Sequence, residues 1–145
     1  MSDDIPQFGI KPELGYTDRR CVYAIVFDDT DRLLVLKVNG VFHLPGGGIE
    51  ADEDPETAVM REAEEEAGCE ISDLQFLGKA NQFFLKSDQC PLNKLGIFYR
   101  ARLKQIDPSK GIEESHEVCW LTPEDFIRVP SGEFQKWAVK KSLLD

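Results

Sequence analysis

Hydrophobic residues along this chain fall into short dense blocks separated by turn residues, and a helical period appears in only a few places. CVYAIVF, after Arg20, is a β-branched and aromatic run of the kind that forms a buried strand, and DDTD behind it reads as a turn. RLLVLKV is a second such block, so the two predict a hairpin. Asn39-Gly40 marks the next turn and VFHL a short strand. Further on, residues 69–79 and 80–86 predict two strands broken at Gly78, followed by a loop containing Pro91. LGIFYRARL, from Leu95 to Leu103, is the clearest late strand. A polar loop with Pro108 and Gly111 then leads to a last short strand, HEVCWL.

The helical stretches are marked by their ends. Asp54 suits an N-cap, Pro55 the first helical position and Gly68 the position just past the end, and Val59, Ala63 and Ala67 form an apolar stripe between them. TPEDFIRV repeats the start signal, with Thr122 as cap and Pro123 behind it. A final helix over Glu133 to Leu144 carries Phe134, Trp137, Ala138, Lys141 and Leu144 at helical spacing, a stripe expected to face the core. Residues 1–17 contain Pro6, Gly9, Pro12 and Gly15 without a period. They predict an extended arm whose Phe8, Ile10 and Leu14 pack onto the body or onto a second subunit. Residues 18–145 then form a single α/β domain, a mixed β-sheet between helices.

Composition sharpens this picture. A chain of 145 residues that is 41% hydrophobic and 30% charged suits one globular core. Its formal net charge of −10 argues against a general nucleic-acid surface, which needs a basic patch. The same charge would repel a phosphate substrate unless cations bridge the two. Cys21, Cys69, Cys90 and Cys119 are spread without CxxC or Cys/His spacing, so zinc and disulfides are not expected. Neither a signal-peptide pattern nor a membrane-length apolar run is visible, and a cytoplasmic protein is the expectation.

The chemistry concentrates between Leu44 and Cys69, LPGGGIEADEDPETAVMREAEEEAGC. Gly46, Gly47 and Gly48 allow positive φ and a close approach of main chain to a ligand. On the helix that follows, Glu62, Glu65 and Glu66 share one face, where like charges destabilise unless countered. Arg61 can offset part of that charge, together with Glu53, and a divalent cation the rest. A solvated acidic helix face is the ordinary reading of three glutamates alone.

The spacing of the whole segment reverses that reading. Gly47, Glu53, Arg61-Glu62, Ala63, Glu65-Glu66, Gly68 and Cys69 stand where the signature of the Nudix hydrolases places its fixed glycine, glutamate and arginine-glutamate positions. The chain resembles that family, small MutT-like members in particular, and departs from its signature only where Ala63 and Cys69 replace larger aliphatics. The resemblance implies an α/β/α sandwich and divalent-metal-dependent hydrolysis, with Mg²⁺ or Mn²⁺, of the pyrophosphate link in a nucleoside diphosphate derivative. It implies Glu65, Glu66 and the Gly47 carbonyl as metal ligands, and Glu62 as a further ligand or as the proton acceptor. Arg61 and Glu53 would orient these groups.

The family adds a carboxylate from a loop before the last strands. Glu113, Glu114 and Glu117 are the candidates, and Glu114 is preferred as ligand and catalytic residue. Phe42, Asn81 and Phe83 lie on segments that the family places near the substrate, although only one of Phe83 and Phe84 can face the cleft. A small nucleotide derivative is the implied partner. No nucleic-acid polymer or membrane is expected, and a homodimer is compatible with the family. The alternative is a Nudix domain that senses a nucleotide or binds a protein without turnover.

Overall fold

The computed structural model describes residues 5–85, 90–111 and 116–144. Eight strands form one mixed sheet: β1 (Gln7–Phe8), β2 (Thr17–Phe27), β3 (Leu33–Val38), β4 (Val41–His43), β5 (Gly46–Gly48), β6 (Cys69–Leu85), β7 (Pro91–Ile106) and β8 (Glu117–Leu121). The order is β1-β6-β7-β2-β3-β4, with β5 added to β2 and β8 to β3. Helix α1 (Pro55–Ala67) covers one face, and α2 (Pro123–Arg128) and α3 (Glu133–Ser142) cover the other.

Strand alternation explains the two layers. Val22, Ala24 and Val26 of β2 turn to the α1 side and join Val59, Ala63 and Ala67, all fully buried. Cys21, Tyr23 and Ile25 turn the other way, onto Phe98, Phe126, Phe134 and Val139. Burying both faces explains why this strand reads as a continuous apolar run rather than an alternating one. The chain is thus an α/β/α sandwich.

Several local expectations change. β2 and β3 meet as a hairpin only at Phe27↔Leu33, because β3 gives its edges to β8 and β4. β2 instead runs beside β7 in parallel over its whole length and takes β5 on its other side at Cys21–Tyr23. The sheet therefore splits where β2 leaves β3.

The glycine segment is not a positive-φ turn. Gly46, Gly47 and Gly48 form the extended strand β5, and the glycines with positive φ are Gly9, Gly15, Gly40 and Gly68. Nor does Gly78 end a strand. β6 continues through it with register shifts, and the missing Cβ makes room for Trp137 of α3, which would lie 3.1 Å from it.

The last helix stops at Ser142 and turns differently from the expected stripe. It buries Phe134, Gln135, Ala138, Val139 and Ser142, while Leu144 is exposed. Gln135 is buried because its Oε1 accepts a hydrogen bond from the Leu44 amide at 2.7 Å. In the arm, Phe8 packs against the α2–α3 layer and β1 pairs with Asn81 and Gln82, whereas Ile10 and Leu14 are exposed. Among the described residues no helix is long and apolar enough to cross a membrane.

Candidate active site

Helix α1 is fixed at both ends by its own sequence. The Asp54 carboxylate accepts from the Thr57 amide at 2.7 Å, and Pro55 occupies the first turn, where no amide hydrogen is needed. Gly68 ends the helix at φ 63°, and a Cβ there would stand 1.9 Å from the Asp107 carbonyl oxygen. Only glycine meets both conditions. With Val59, Ala63 and Ala67 locked into the core, the neighbouring carboxylates are held at the helix rim.

Arg61 organises that rim. Its Nε and Nη2 donate to both oxygens of Glu53, at 2.7 and 2.8 Å, and Nη1 donates to Glu62 and Glu65, each at 3.1 Å. Nη2 also reaches the Gly48 carbonyl at 3.1 Å, tying the helix to β5. The guanidinium holds the Glu53 carboxyl down at about 2, aided by the Glu50 amide, and these carboxylates push the Arg61 guanidinium pKa upward in turn. Glu62 behaves differently. Its side chain is 12% exposed, and burial raises its pKa above the usual carboxylate range against the opposing pull of Arg61. Glu65, at 39%, is more open to solvent.

Glu62 lies flat against β5. A Cβ on Gly47 would come within 2.7 Å of its carboxylate, so glycine is required there by proximity rather than by φ. Glu66 has the Glu62 carboxylate within hydrogen-bonding reach, and His116 Nδ1 lies 3.9 Å from its Oε2.

The register of β5 also decides where its carbonyls point. Ala24 donates to the Pro45 carbonyl and Ile49 to that of Arg20, which makes Val22↔Gly47 a hydrogen-bonded pair in the antiparallel ladder. The Gly47 carbonyl expected to bind a cation is therefore turned toward Val22. Gly46 and Gly48 direct theirs away from β2, and Arg61 takes that of Gly48.

Of these groups, Glu66 and Gly46 to Gly48 border a cleft of about 280 Å³ at the split in the sheet. Leu36, His43, His116, Arg19 and Lys94 line it together with them. A larger hollow of about 830 Å³ lies at the far end of β7 around Asp73 and Arg102, away from the carboxylates.

The donors near the cleft are carboxylate and main-chain oxygens, which fit a hard divalent cation such as Mg²⁺ in kind. Among the described residues no three His, Cys, Asp or Glu side chains converge closely enough to hold an ion, because Arg61 draws Glu62 and Glu65 to itself.

The residues expected at the substrate side fare unevenly. Phe83 is buried, packing edge-to-face on Tyr16 at 5.0 Å. Phe84 is the exposed member of that pair, and it lines a groove of about 370 Å³ that shares His43 and Lys94 with the cleft. Phe42 packs toward the α2–α3 layer, and His43 takes the cleft position beside it. Asn81 serves the sheet: its Oδ1 accepts from the Asn93 side chain at 3.1 Å, which also donates to Asp18 at 3.0 Å. Glu113 and Glu114 lie outside the described residues, and Glu117 opens β8 at an exposed position.

The sequence reading missed Arg19, Lys94, His43 and His116. A signal was available for the first, since Arg19 precedes Cys21 and Tyr23 at the strand period.

Comparison with known proteins agrees with this architecture. The family profile described as NUDIX domain matches residues 17–143. Over 126 residues the chain is 33% identical to a MutT-like protein of Streptomyces ambofaciens, spanning 83% of this chain and 72% of that one. The NUDIX hydrolase from Nitrosomonas europaea superposes with a TM-score of 0.74 at 15% identity, covering 88% of this chain and 90% of its own. The NUDIX domain of Shewanella oneidensis NrtR, in a structure complexed with ADP ribose, superposes at 0.69 with 18% identity, covering 93% and 92%. The family match and these relatives make it a hydrolase of phosphoric anhydrides, a pyrophosphohydrolase. The chain belongs to the NUDIX family.

Proposed function

We propose that the chain hydrolyses the pyrophosphate link of a nucleoside diphosphate derivative with the help of Mg²⁺ or Mn²⁺. The observation that carries this reading is the Arg61 network, which gathers Glu53, Glu62 and Glu65 on the rim of α1, behind the glycine strand and beside Glu66, which line a cleft. The neighbour complexed with ADP ribose supports the substrate class.

Glu65, Glu66 and, at need, Glu62 would hold the cation, with the outward-turned Gly46 carbonyl in place of that of Gly47. A bound divalent ion there supplies charge neutralisation at the phosphate oxygens and a water of lowered pKa.

The chain's own groups do the rest. A water oxygen attacks phosphorus, the bridging P–O bond breaks, and the water's proton passes to a carboxylate. Glu62 suits that role, since burial raises its affinity for a proton. Arg61 keeps Glu62 oriented through the 3.1 Å bond from Nη1, and Glu53 keeps Arg61 in place. Glu114, on the segment before His116, remains a candidate for completing the donor set. On the substrate side Phe84, rather than Phe83, borders the groove next to the cleft, with the Lys94 ammonium 5.1 Å from its ring.

A substrate-panel assay with Mg²⁺ and with Mn²⁺, run beside a Glu65→Gln control, tests the proposal. Turnover of at least one nucleoside diphosphate derivative, lost in the control, supports it. A panel left intact with both metals would favour a sensing domain.

A further inference from the structure

Gln135 is a buried amide with only one of its two ends occupied. It stands in the first turn of α3 at 3% exposure, where a polar group is expected to have its hydrogen bonds made. Its Oε1 accepts from the Leu44 amide at 2.7 Å. A main-chain N–H can only donate, so its partner has to be the oxygen, and the side chain cannot turn over without leaving that N–H unpaired. The Nε2 end is thereby fixed as well. It donates to nothing among the described residues, and it is not enclosed. The side-chain atoms there that are both enclosed and unpartnered are Asn93 Oδ1, His116 Nδ1 and Ser131 Oγ, so Nε2 keeps contact with open space. That space is the groove of about 370 Å³ that Gln135 lines beside the cleft.

The rest of the groove wall is rich in donors. Gln82 gives its Oε1 to the Phe134 amide at 3.2 Å and turns its Nε2 to the Phe83 carbonyl at 3.4 Å. Both glutamine oxygens are thus taken by main-chain donors, and neither offers an acceptor to a ligand. Ser131 lines the same groove with the enclosed, unpartnered hydroxyl oxygen. Lys94 adds an ammonium beside the Phe84 ring. The Glu133 carboxylate borders the groove from an exposed position. A desolvated donor costs free energy until something accepts from it, so this wall suits a ligand that brings an acceptor to Gln135.

His43 and Lys94 line both cavities, so a ligand with its phosphates in the cleft continues into the groove. We infer that this continuation is the nucleoside and that Gln135 determines which base is taken, its Nε2 donating to a ring carbonyl, so that the enzyme prefers the oxo bases uracil and hypoxanthine over the amino bases cytosine and adenine. Each pair differs at C4 of the pyrimidine or C6 of the purine, where a carbonyl oxygen replaces an amino group, and in the proton on the neighbouring ring nitrogen. A carbonyl there accepts from Nε2. An amino group sets donor against donor and leaves both unpaired. A site built to hydrogen-bond one group rejects the analogue lacking it better than an apolar pocket does. The inference narrows the substrate class and rests on the hydrolase reading above for the identity of the ligand.

Calorimetric titration in EDTA with UMP against CMP, and with IMP against AMP, reads the preference without turnover. The wild-type protein is expected to bind the oxo member of each pair about tenfold more tightly. Gln135→Met keeps the length of the side chain and removes the donor, and should bring each ratio close to one. Gln135→Glu keeps an oxygen for the Leu44 amide and, once ionised, turns a second acceptor to the groove. At pH 8 it should bind the amino members more tightly. A loss of packing alone would weaken both members of a pair alike, so the ratio separates base reading from a structural role, and melting temperatures establish which variants are folded. Equal wild-type affinities within either pair, no binding of any of the four nucleotides, or a folded variant that keeps the wild-type ratio would each overturn the inference. Failure of the wild type to hydrolyse any nucleoside diphosphate derivative with Mg²⁺ would instead count against the hydrolase reading, since the ratios are measured without metal.

Discussion

The Glu62 carboxylate occupies the space in which a side chain on Gly47 would sit, 2.7 Å from the position of its Cβ. The helix and the glycine strand are therefore fitted to each other at a single atom's resolution. Gly47→Ala is expected to push Glu62 off its position. A displacement of about 1 Å at a reacting group can cost about 10²-fold in rate. Initial rates with Mg²⁺ check this, with the melting temperature as control. A Gly47→Ala protein of normal activity would mean that Glu62 has no catalytic position to lose.

Glu62→Gln keeps the shape of the side chain and removes its capacity to take a proton. If it is the proton acceptor, kcat should fall by about 10²- to 10⁴-fold. Raising the metal concentration should not restore the rate. Recovery at high Mg²⁺ would assign Glu62 to ion binding alone.

The Arg61–Glu53 fork makes a prediction about acid. Glu53 has its pKa lowered to about 2 in the folded protein by Arg61, against 4.5 for the ordinary group. A depressed carboxyl contributes stability that is complete above its unfolded value and is lost as pH falls through its folded one. Glu53→Gln should therefore melt below the wild type by a constant margin from pH 5 to 8. That margin should shrink between about pH 4.5 and 2. A margin independent of pH across this range would show that the two residues are not linked as charges.

Thiol reactivity reports on the two layers. Cys21 and Cys69 are buried, and burial pushes the Cys69 thiol up to about 12. Cys119 is half-buried with its pKa also raised by burial, while Cys90 is exposed. Titration with a chromogenic disulfide at pH 8 should find one fast thiol in the native protein and four in denaturant. Three or more fast thiols would contradict the packing of β2 or of the α1–β6 junction.

Much of the α1 segment was legible because its determinants are local. Asp54, Pro55 and Gly68 act within a few residues of themselves, and helical spacing alone puts Arg61 beside Glu65. The glycine strand misled for the opposite reason. Its glycines answer to Val22, Glu62 and Arg19, partners that are distant in sequence, so a run resembling a flexible turn is an extended strand. The same holds for Gln135, whose burial depends on the Leu44 amide. Choosing between Phe83 and Phe84 needed the register of β6, which composition does not carry.

The two-faced burial of β2 has a consequence for how this enzyme can change. The α1 carboxylates are anchored through the α1 layer, whereas Arg19 and Lys94 leave the opposite face, that of Tyr23 and Phe98. The glycine strand β5 meets both, Gly47 against Glu62 and Gly48 against Arg19. Substitutions on either face of β2 are therefore felt at the glycine strand, and the two sides are constrained to change together.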